Sequence, residues 1–196
     1  MPDQALTKDA ILDAAEQVLR RFGPEKTSVV DVARSLNVSH GTIYRHYPSK
    51  ASLREAVAKR WLHRIISPLE TVFEKQCSST ERLHFWVETL ISIKHNLVKE
   101  DPELFSMYTT LAEESVEVIS AHIEDLIGQI VPIIEEGIEN KEFKAKDAKD
   151  TAAAVFYATA KFHHPAHAKE WTSPTISQEF DVVWDLILSG ISNDII

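Results

Sequence analysis

The residues that could do chemistry gather in one short stretch. Ser39, His40, Gly41, Thr42, Tyr44, Arg45 and His46 surround a single aliphatic position, Ile43, and Lys50 stands four residues beyond. Hydroxyls, imidazoles and a guanidinium, with no carboxylate among them, are groups that hydrogen-bond to phosphate oxygens and to base edges. On one exposed helix face they would suit a helix entering the major groove of a duplex. Other candidates are weaker. His163 and His167 are four apart, a spacing that can chelate a metal on one helix face, but Pro165 between them breaks or kinks such a helix. Histidines near a helix C-terminus also complement its dipole without any metal. Glu81-Arg82-Leu83-His84 is a single Glu-x-x-His, where a carboxylate-bridged di-metal bundle needs two on different helices. Cys77 is the only cysteine, with no activating motif around it, so no intrachain disulfide is expected. With no nucleophile–base arrangement either, the sequence predicts no enzyme, no metal and no cofactor.

Stepping from the stretch to the elements that must hold it, the punctuation is helical. Ala10, Ile11, Ala14, Ala15, Val18, Leu19 and Phe22 recur at three-to-four spacing from Thr7, and Gly23-Pro24 ends that helix. A second helix should start at Ser28, with Asp31 as its capping-box partner, and carry Val29, Val32, Ala33 and Leu36. Asn37 tolerates the left-handed conformation that stops a helix. Ser39 can cap a third helix to about Tyr47, before Pro48, and Ser49 a long fourth through Leu53, Val57, Trp61 and Ile65. Ala33 supplies the small residue where the second and third helices cross, Val38 an apolar lock after the turn, and Ile43 and Tyr47 the inward anchors. An ordinary helical hairpin with a polar outer face would share this spacing.

Further helices are predicted near 69–76 (continuing the fourth past a Pro68 kink), 80–99, 102–112, 115–140 with a kink at Pro132, 147–164 and 175–192. The expected caps are Ser79 or Thr80, Asp101, Ser115, Asp147, and Ser173 or Thr175. Nowhere does strict apolar–polar alternation persist long enough for a strand. The expectation is an all-α fold of about nine helices. Its 196 residues are 44% hydrophobic and 26% charged, with only 5 glycines and 8 prolines, which argues against disorder and against a many-turned β protein. No apolar run or leader pattern suggests a membrane span or a signal peptide, so a cytoplasmic protein is expected.

The net charge of −9 is unevenly placed. Residues 1–65 carry 11 Lys+Arg against 7 Asp+Glu, a balance of +4, and residues 66–196 carry 10 against 23, a balance of −13. A basic head on an acidic body suggests that only the head meets a polyanion.

The run Thr27-Ser28-Val29-Val30-Asp31-Val32-Ala33, followed by Leu36-Asn37-Val38-Ser39-His40-Gly41-Thr42-Ile43-Tyr44-Arg45-His46-Tyr47-Pro48-Ser49-Lys50-Ala51-Ser52-Leu53, resembles the DNA-binding domain of TetR/AcrR-type transcriptional regulators. The likeness covers about residues 7–60. Asn37 stands where that family usually has glycine, and Ser28 where threonine is common. The resemblance implies a helix-turn-helix head over residues 1–50, extended by the start of the fourth helix to about 65. Residues 66–196 would be a helical effector-binding and dimerisation body. It further implies that Ser28 contacts a phosphate, that Thr42, Tyr44 and His46 touch DNA, the last two mainly on its backbone, and that Lys50 holds a phosphate at a helix N-terminus. His40, Gly41 and Arg45 are the positions expected to read bases, with Ser39 beside them.

For the body, the resemblance implies a ligand pocket, for which Trp86, Leu90, Ile93, Phe105, Tyr108, His122, Phe156 and Tyr157 are the candidates. Aromatics at helical spacing serve equally as plain core. The many carboxylates weigh against an anionic ligand. A dimer interface is expected on the last two helices: Ala152, Val155, Phe156 and Thr159 on one, and Phe180, Val183, Trp184, Ile187, Leu188 and Ile191 on the other. The expected function is a dimeric regulator, most simply a repressor, that binds a palindromic DNA operator and is released by a small-molecule effector. The alternatives are a ligand-independent architectural DNA-binding protein and a helical-bundle metal enzyme.

Overall fold

The computed structural model describes residues 6–114 and 116–193. Its α-helices are α1 (Lys8–Lys26), α2 (Val29–Ser35), α3 (His40–His46), α4 (Lys50–Ile66), α5 (Ser79–Glu100), α6 (Pro102–Glu114), α7 (Val116–Glu139), α8 (Ala148–Ala158), α9 (Ala160–His163) and α10 (Ile176–Ile191). Two 3₁₀ segments, Ser67–Glu74 and Pro165–His167, interrupt them. Among the described residues, β pairing amounts to one isolated bridge between Phe143 and Ser192. The fold is all-α.

Local chemistry accounts for most helix starts. Thr7 Oγ1 accepts from the Ala10 N–H at 3.1 Å, and Asp147 Oδ1 from the Asp150 N–H at 2.8 Å. Ser49 and Ser52 cap α4 reciprocally, each hydroxyl accepting the other's N–H at 3.0 Å. These side chains satisfy donors that the first helical turn leaves without partners.

Several expectations change in detail. The chain past Ser67 winds as 3₁₀, because Pro68 lacks the N–H that would continue the ladder of α4. Gly23, at φ 76°, kinks α1 rather than ending it, and a last turn runs on to Lys26. The expected helix over 147–164 divides at Thr159, whose Oγ1 donates back to the carbonyls of Val155 at 2.9 Å and Phe156 at 3.1 Å. The cap of α5 is Ser78, which forms a capping box with Glu81. The N–H groups of Ser79 and Thr80 go instead to the Glu142 carboxylate, at 3.0 and 2.9 Å. Asp101 directs its carboxylate to Arg20. α7 continues through Pro132, and Ser115 lies outside the described residues.

Two compact units divide the chain. The first joins Met1–His63 with Lys99–Ile119, and the second joins Arg64–Val98 with Ser120–Ile196. α6 therefore packs with the head, so a single cut near residue 65 does not describe the units. Ile11, Leu19, Val32, Ile43 and Val57 are buried in the first. Trp86, Leu90, Leu126, Ile130, Phe156, Phe180 and Trp184 share the core of the second.

Past α7, Lys141 takes φ 61° and the N–H groups of Glu142 and Phe143 return to the Gly137 carbonyl, at 2.8 and 3.0 Å. That turn lays the Phe143 ring against Gly137 so closely that a Cβ there would run into it. Gly137→Ala is expected to lower stability by about 1–3 kcal/mol through overpacking, read as a drop in melting temperature.

Candidate nucleic-acid interface

The α2–α3 unit is built by its turn. Ser28 Oγ accepts from the Asp31 N–H at 3.2 Å and donates to Asp31 Oδ2 at 2.5 Å, which holds the Asp31 carboxyl below its ordinary range. Asn37, at φ 53°, takes the left-handed turn position, and the Val38 N–H closes the turn on the Ala33 carbonyl at 3.0 Å. Ala33, Ile43 and Tyr47 are buried where the two helices meet. Ser39 caps α3 by accepting from the Thr42 N–H at 3.2 Å, and its hydroxyl lies 2.9 Å from Thr42 Oγ1.

With Ile43 and Tyr47 turned inward, the expected polar residues share the outer face. Ser39, His40, Gly41, Tyr44, Arg45 and Lys50 are exposed, while Ser28, Thr42 and His46 are half-buried. Arg45 Nη2 donates to Thr42 Oγ1 at 3.3 Å, and the His40 and Tyr44 rings meet edge to face at 6.3 Å. A Cβ on Gly41 would meet only Ser39 Oγ, at 3.8 Å, so the chain itself does not require glycine here. Lys50 opens α4, where ammonium charge and helix dipole would both draw an anion. Two residues missed in the sequence flank this face. Val30, 50% exposed, and Arg34 line a surface hollow with Ser39 and His40. The available signal was Val30 itself, an apolar residue standing off the stripe of Val29, Val32 and Ala33.

Ion pairs brace the head from behind. Arg60 reaches the buried Glu16 at 2.7 Å and Asp13 at 2.8 Å, tying α4 to α1. Arg20 grips Asp101 through two nitrogens, at 3.0 and 2.8 Å, tying α1 to α6. That hydrogen bond to Asp101 raises the Arg20 pKa above its ordinary value.

The body candidates divide between the units. Phe105 and Tyr108 belong to the first, where Tyr108 packs on Trp61 with ring centroids 5.4 Å apart. Trp86, Leu90, Ile93, His122 and Phe156 belong to the second, all buried except the half-buried Ile93. Tyr157 is 60% exposed. Of the expected interface residues, Ala152, Val155, Phe156, Thr159, Phe180 and Trp184 are buried by their own chain, and Val183, Ile187, Leu188 and Ile191 are half-buried. On these two helices the exposed apolar side chains include Val182 (71% exposed) and Leu186 (74%) on α10, and Tyr157 with Ala154 and Ala158 on α8.

His163 and His167 have separate partners. His163 is buried, its Nε2 lying 3.1 Å from the Phe156 carbonyl, while His167 pairs with Glu170 at 2.7 Å. Glu81 serves the α5 cap, and His84 lies 3.3 Å from Glu88. Sequence reasoning also missed Lys94, which is buried and 3.4 Å from His122.

A helical head presenting an exposed polar face of α3, on a wholly helical body, defines a helix-turn-helix transcriptional regulator. Residues 11–57 match the family described as bacterial regulatory proteins, tetR family, and residues 79–184 the tetracyclin repressor-like C-terminal domain. The chain belongs to the TetR family of DNA-binding transcriptional regulators, which is not a class of enzymes. Among curated proteins, it is 28% identical over 105 residues to an uncharacterized HTH-type transcriptional regulator of Mycobacterium tuberculosis, covering 54% of this chain and spanning 50% of that relative's length. It is 25% identical over 193 residues to the fatty acid metabolism regulator protein of Bacillus subtilis, covering 93% of this chain and 94% of the relative. The fold is shared with the B. subtilis regulator FadR solved with stearoyl-CoA (TM-score 0.67, 20% identity, 94% and 99% covered). It is shared as well with a protein of unknown function from a Rhodococcus species (TM-score 0.72, 18% identity, 98% and 100% covered). No helix among the described residues is long and apolar enough to cross a membrane.

Proposed function

We propose that this chain is a dimeric cytoplasmic repressor that grips a palindromic operator with two α3 helices and lets go when a small molecule binds its body. The observation that carries the reading is the outer face of α3, where hydrogen-bonding side chains are exposed without a carboxylate among them. His40, Gly41 and Arg45 would read bases. Gly41 would admit the backbone close to the duplex, and Arg45 could take a guanine through two bonds. Ser28, Ser39, Thr42, Tyr44, His46 and Lys50 would fix the head on phosphates.

Selection of bound sites from a random DNA pool tests this directly, with an inverted repeat as the expected product. Recovery of DNA without sequence preference would favour an architectural protein instead. Lys50→Ala is expected to weaken all sequences alike and to reduce the slope of log affinity against log salt by about one. His40→Ala or Arg45→Ala should instead change which operator bases matter, each by about 1–3 kcal/mol. Equal losses on every operator variant would mark both as positioning residues.

The effector would bind among Trp86, Leu90, Ile93, His122 and Phe156 of the second unit, whose apolar bodies and few polar tips suit a small organic molecule. The B. subtilis regulator FadR, solved with stearoyl-CoA, supports an effector that has a long apolar part. Release then follows from linkage: a ligand that favours the state not bound to DNA is itself weakened by DNA, by the same factor. The exposed face of α8 and α10, with Tyr157, Val182 and Leu186, would pair with its copy across a two-fold axis as a four-helix bundle.

A further inference from the structure

The apolar stripe of α2, made by Val29, Val32 and Ala33, is buried in the head. Val30 stands outside that stripe and is 50% exposed, an isopropyl group held in water on a short helix. Its neighbours place it at the start of α3. Val30 and Arg34, one turn apart on α2, line the same surface hollow as Ser39 and His40, which are the cap and the first residue of α3. A helix-turn-helix seats the N-terminal residues of its second helix at the base edges, and a side chain beside those residues goes with them into the major groove. The acid next in sequence does not repel the duplex there. The Asp31 carboxylate is already engaged within the helix and its cap, by the Ser28 hydroxyl at 2.5 Å and by Arg34 at 3.1 Å.

We propose that Val30 is a specificity-determining residue, which reads a thymine in each operator half-site through the C5-methyl group. The inference rests on the reading of α3 as the helix that enters the major groove, and it extends base reading to α2. Along the floor of that groove the base pairs present hydrogen-bond donors, acceptors and one apolar group, the thymine methyl. A valine side chain neither donates nor accepts a hydrogen bond. Pressed on a donor or acceptor edge, it would strip water from a polar group and give nothing back. Against a methyl group it takes apolar surface out of water on both sides. Val30 therefore discriminates twice, by its contact with thymine and by the unsatisfied edge that another base would present. A β-branched residue in a helix keeps one strongly preferred rotamer, so its methyl groups are placed before DNA arrives.

The test uses the full-length protein and the operator recovered from the random pool, with each thymine replaced in turn by deoxyuridine. That base keeps the hydrogen-bonding pattern and lacks only the methyl. Wild type is expected to lose affinity by about three- to tenfold at one thymine of each half-site, the scale of one or two buried methyl-sized groups. Val30→Ala should bind the unmodified operator more weakly by about the same factor. It should be indifferent to the methyl at that thymine and respond like wild type at every other. Its melt should stay close to that of wild type, because the valine is already half in water. The same uridine profile in both proteins, an operator in which no thymine responds, or an unchanged affinity of Val30→Ala would overturn the assignment. Operator selection by wild type keeps the two readings apart: a recovered inverted repeat upholds the regulator whatever Val30 does, whereas a pool without sequence preference overturns both.

Discussion

Replacing Leu186 with lysine is expected to give a folded monomer that has lost operator affinity by about 10²–10⁴-fold, the gain that tethering two weakly binding heads supplies. Leu186 is 74% exposed and Val182 is 71% exposed, so in a lone chain both would hold apolar surface against water along one side of α10. A two-fold axis through that side brings each Leu186 near its copy, and a lysine at the position then meets a second lysine across a desolvated seam. The substitution touches little of its own chain, so far-UV circular dichroism and the melt should stay close to wild type while light scattering reports half the mass. Trp184→Lys makes the useful contrast. Trp184 is 6% exposed, packed 4.8 Å from the His84 ring and 5.9 Å from that of Phe180. A lysine there buries a charge within one subunit, so the expected result is loss of folding rather than a clean monomer. A Leu186→Lys protein that stays dimeric and keeps its operator affinity would move the interface to another surface.

These two substitutions also mark where the sequence stopped being informative. Helix starts were legible at Thr7, Ser28, Ser39, Ser49 and Asp147, because a cap is a contact between residues three apart. The turn at Asn37 was legible for the same reason. In α10 the periodicity identified an apolar stripe, but spacing cannot say which side of a broad stripe meets the chain's own core. Val182 and Leu186 lie two residues from Phe180 and Trp184, about 200° around the helix, and only packing separates them. Lys94 was invisible because a lysine at a helical position ordinarily reads as solvated surface. The choice among Ser78, Ser79 and Thr80 at the start of α5 depends on Glu142, more than sixty residues away. The attachment of α6 to the head likewise involves distant pairs, Arg20 with Asp101, 81 positions apart, and Trp61 with Tyr108. Contacts of that range leave no periodic trace.

Burial of Lys94, 3.4 Å from His122, should make stability depend on pH. The amine's pKa is about 7 in the folded chain against an ordinary 10.5. Between those values the unfolded chain binds the extra proton, so stability rises with pH across that window and the full penalty applies below it. A depression of this size corresponds to on the order of 5 kcal/mol, against about 5–15 kcal/mol for a typical protein. His122 and His163, brought to about 3 from 6.5 by burial, act with the same sign in a lower window. Their neutral burial is cost-free above 6.5 and increasingly opposed by the unfolded state's protons as pH falls towards 3. Glu142, held below 4.5 by the N–H groups of Ser79 and Thr80, contributes only at the acid end. Wild type is therefore expected to gain stability from pH 5 to pH 10, in two rises separated near neutrality. Lys94→Met should erase the rise above pH 7, raise stability at pH 7 by about 2–4 kcal/mol on removal of a buried ionisable amine, and leave the histidine-driven rise below 6.5 in place. Denaturant melts across that range measure all three at once. A Lys94→Met protein less stable than wild type at pH 7, with the upper rise intact, would mean that the folded chain holds this amine charged at no cost.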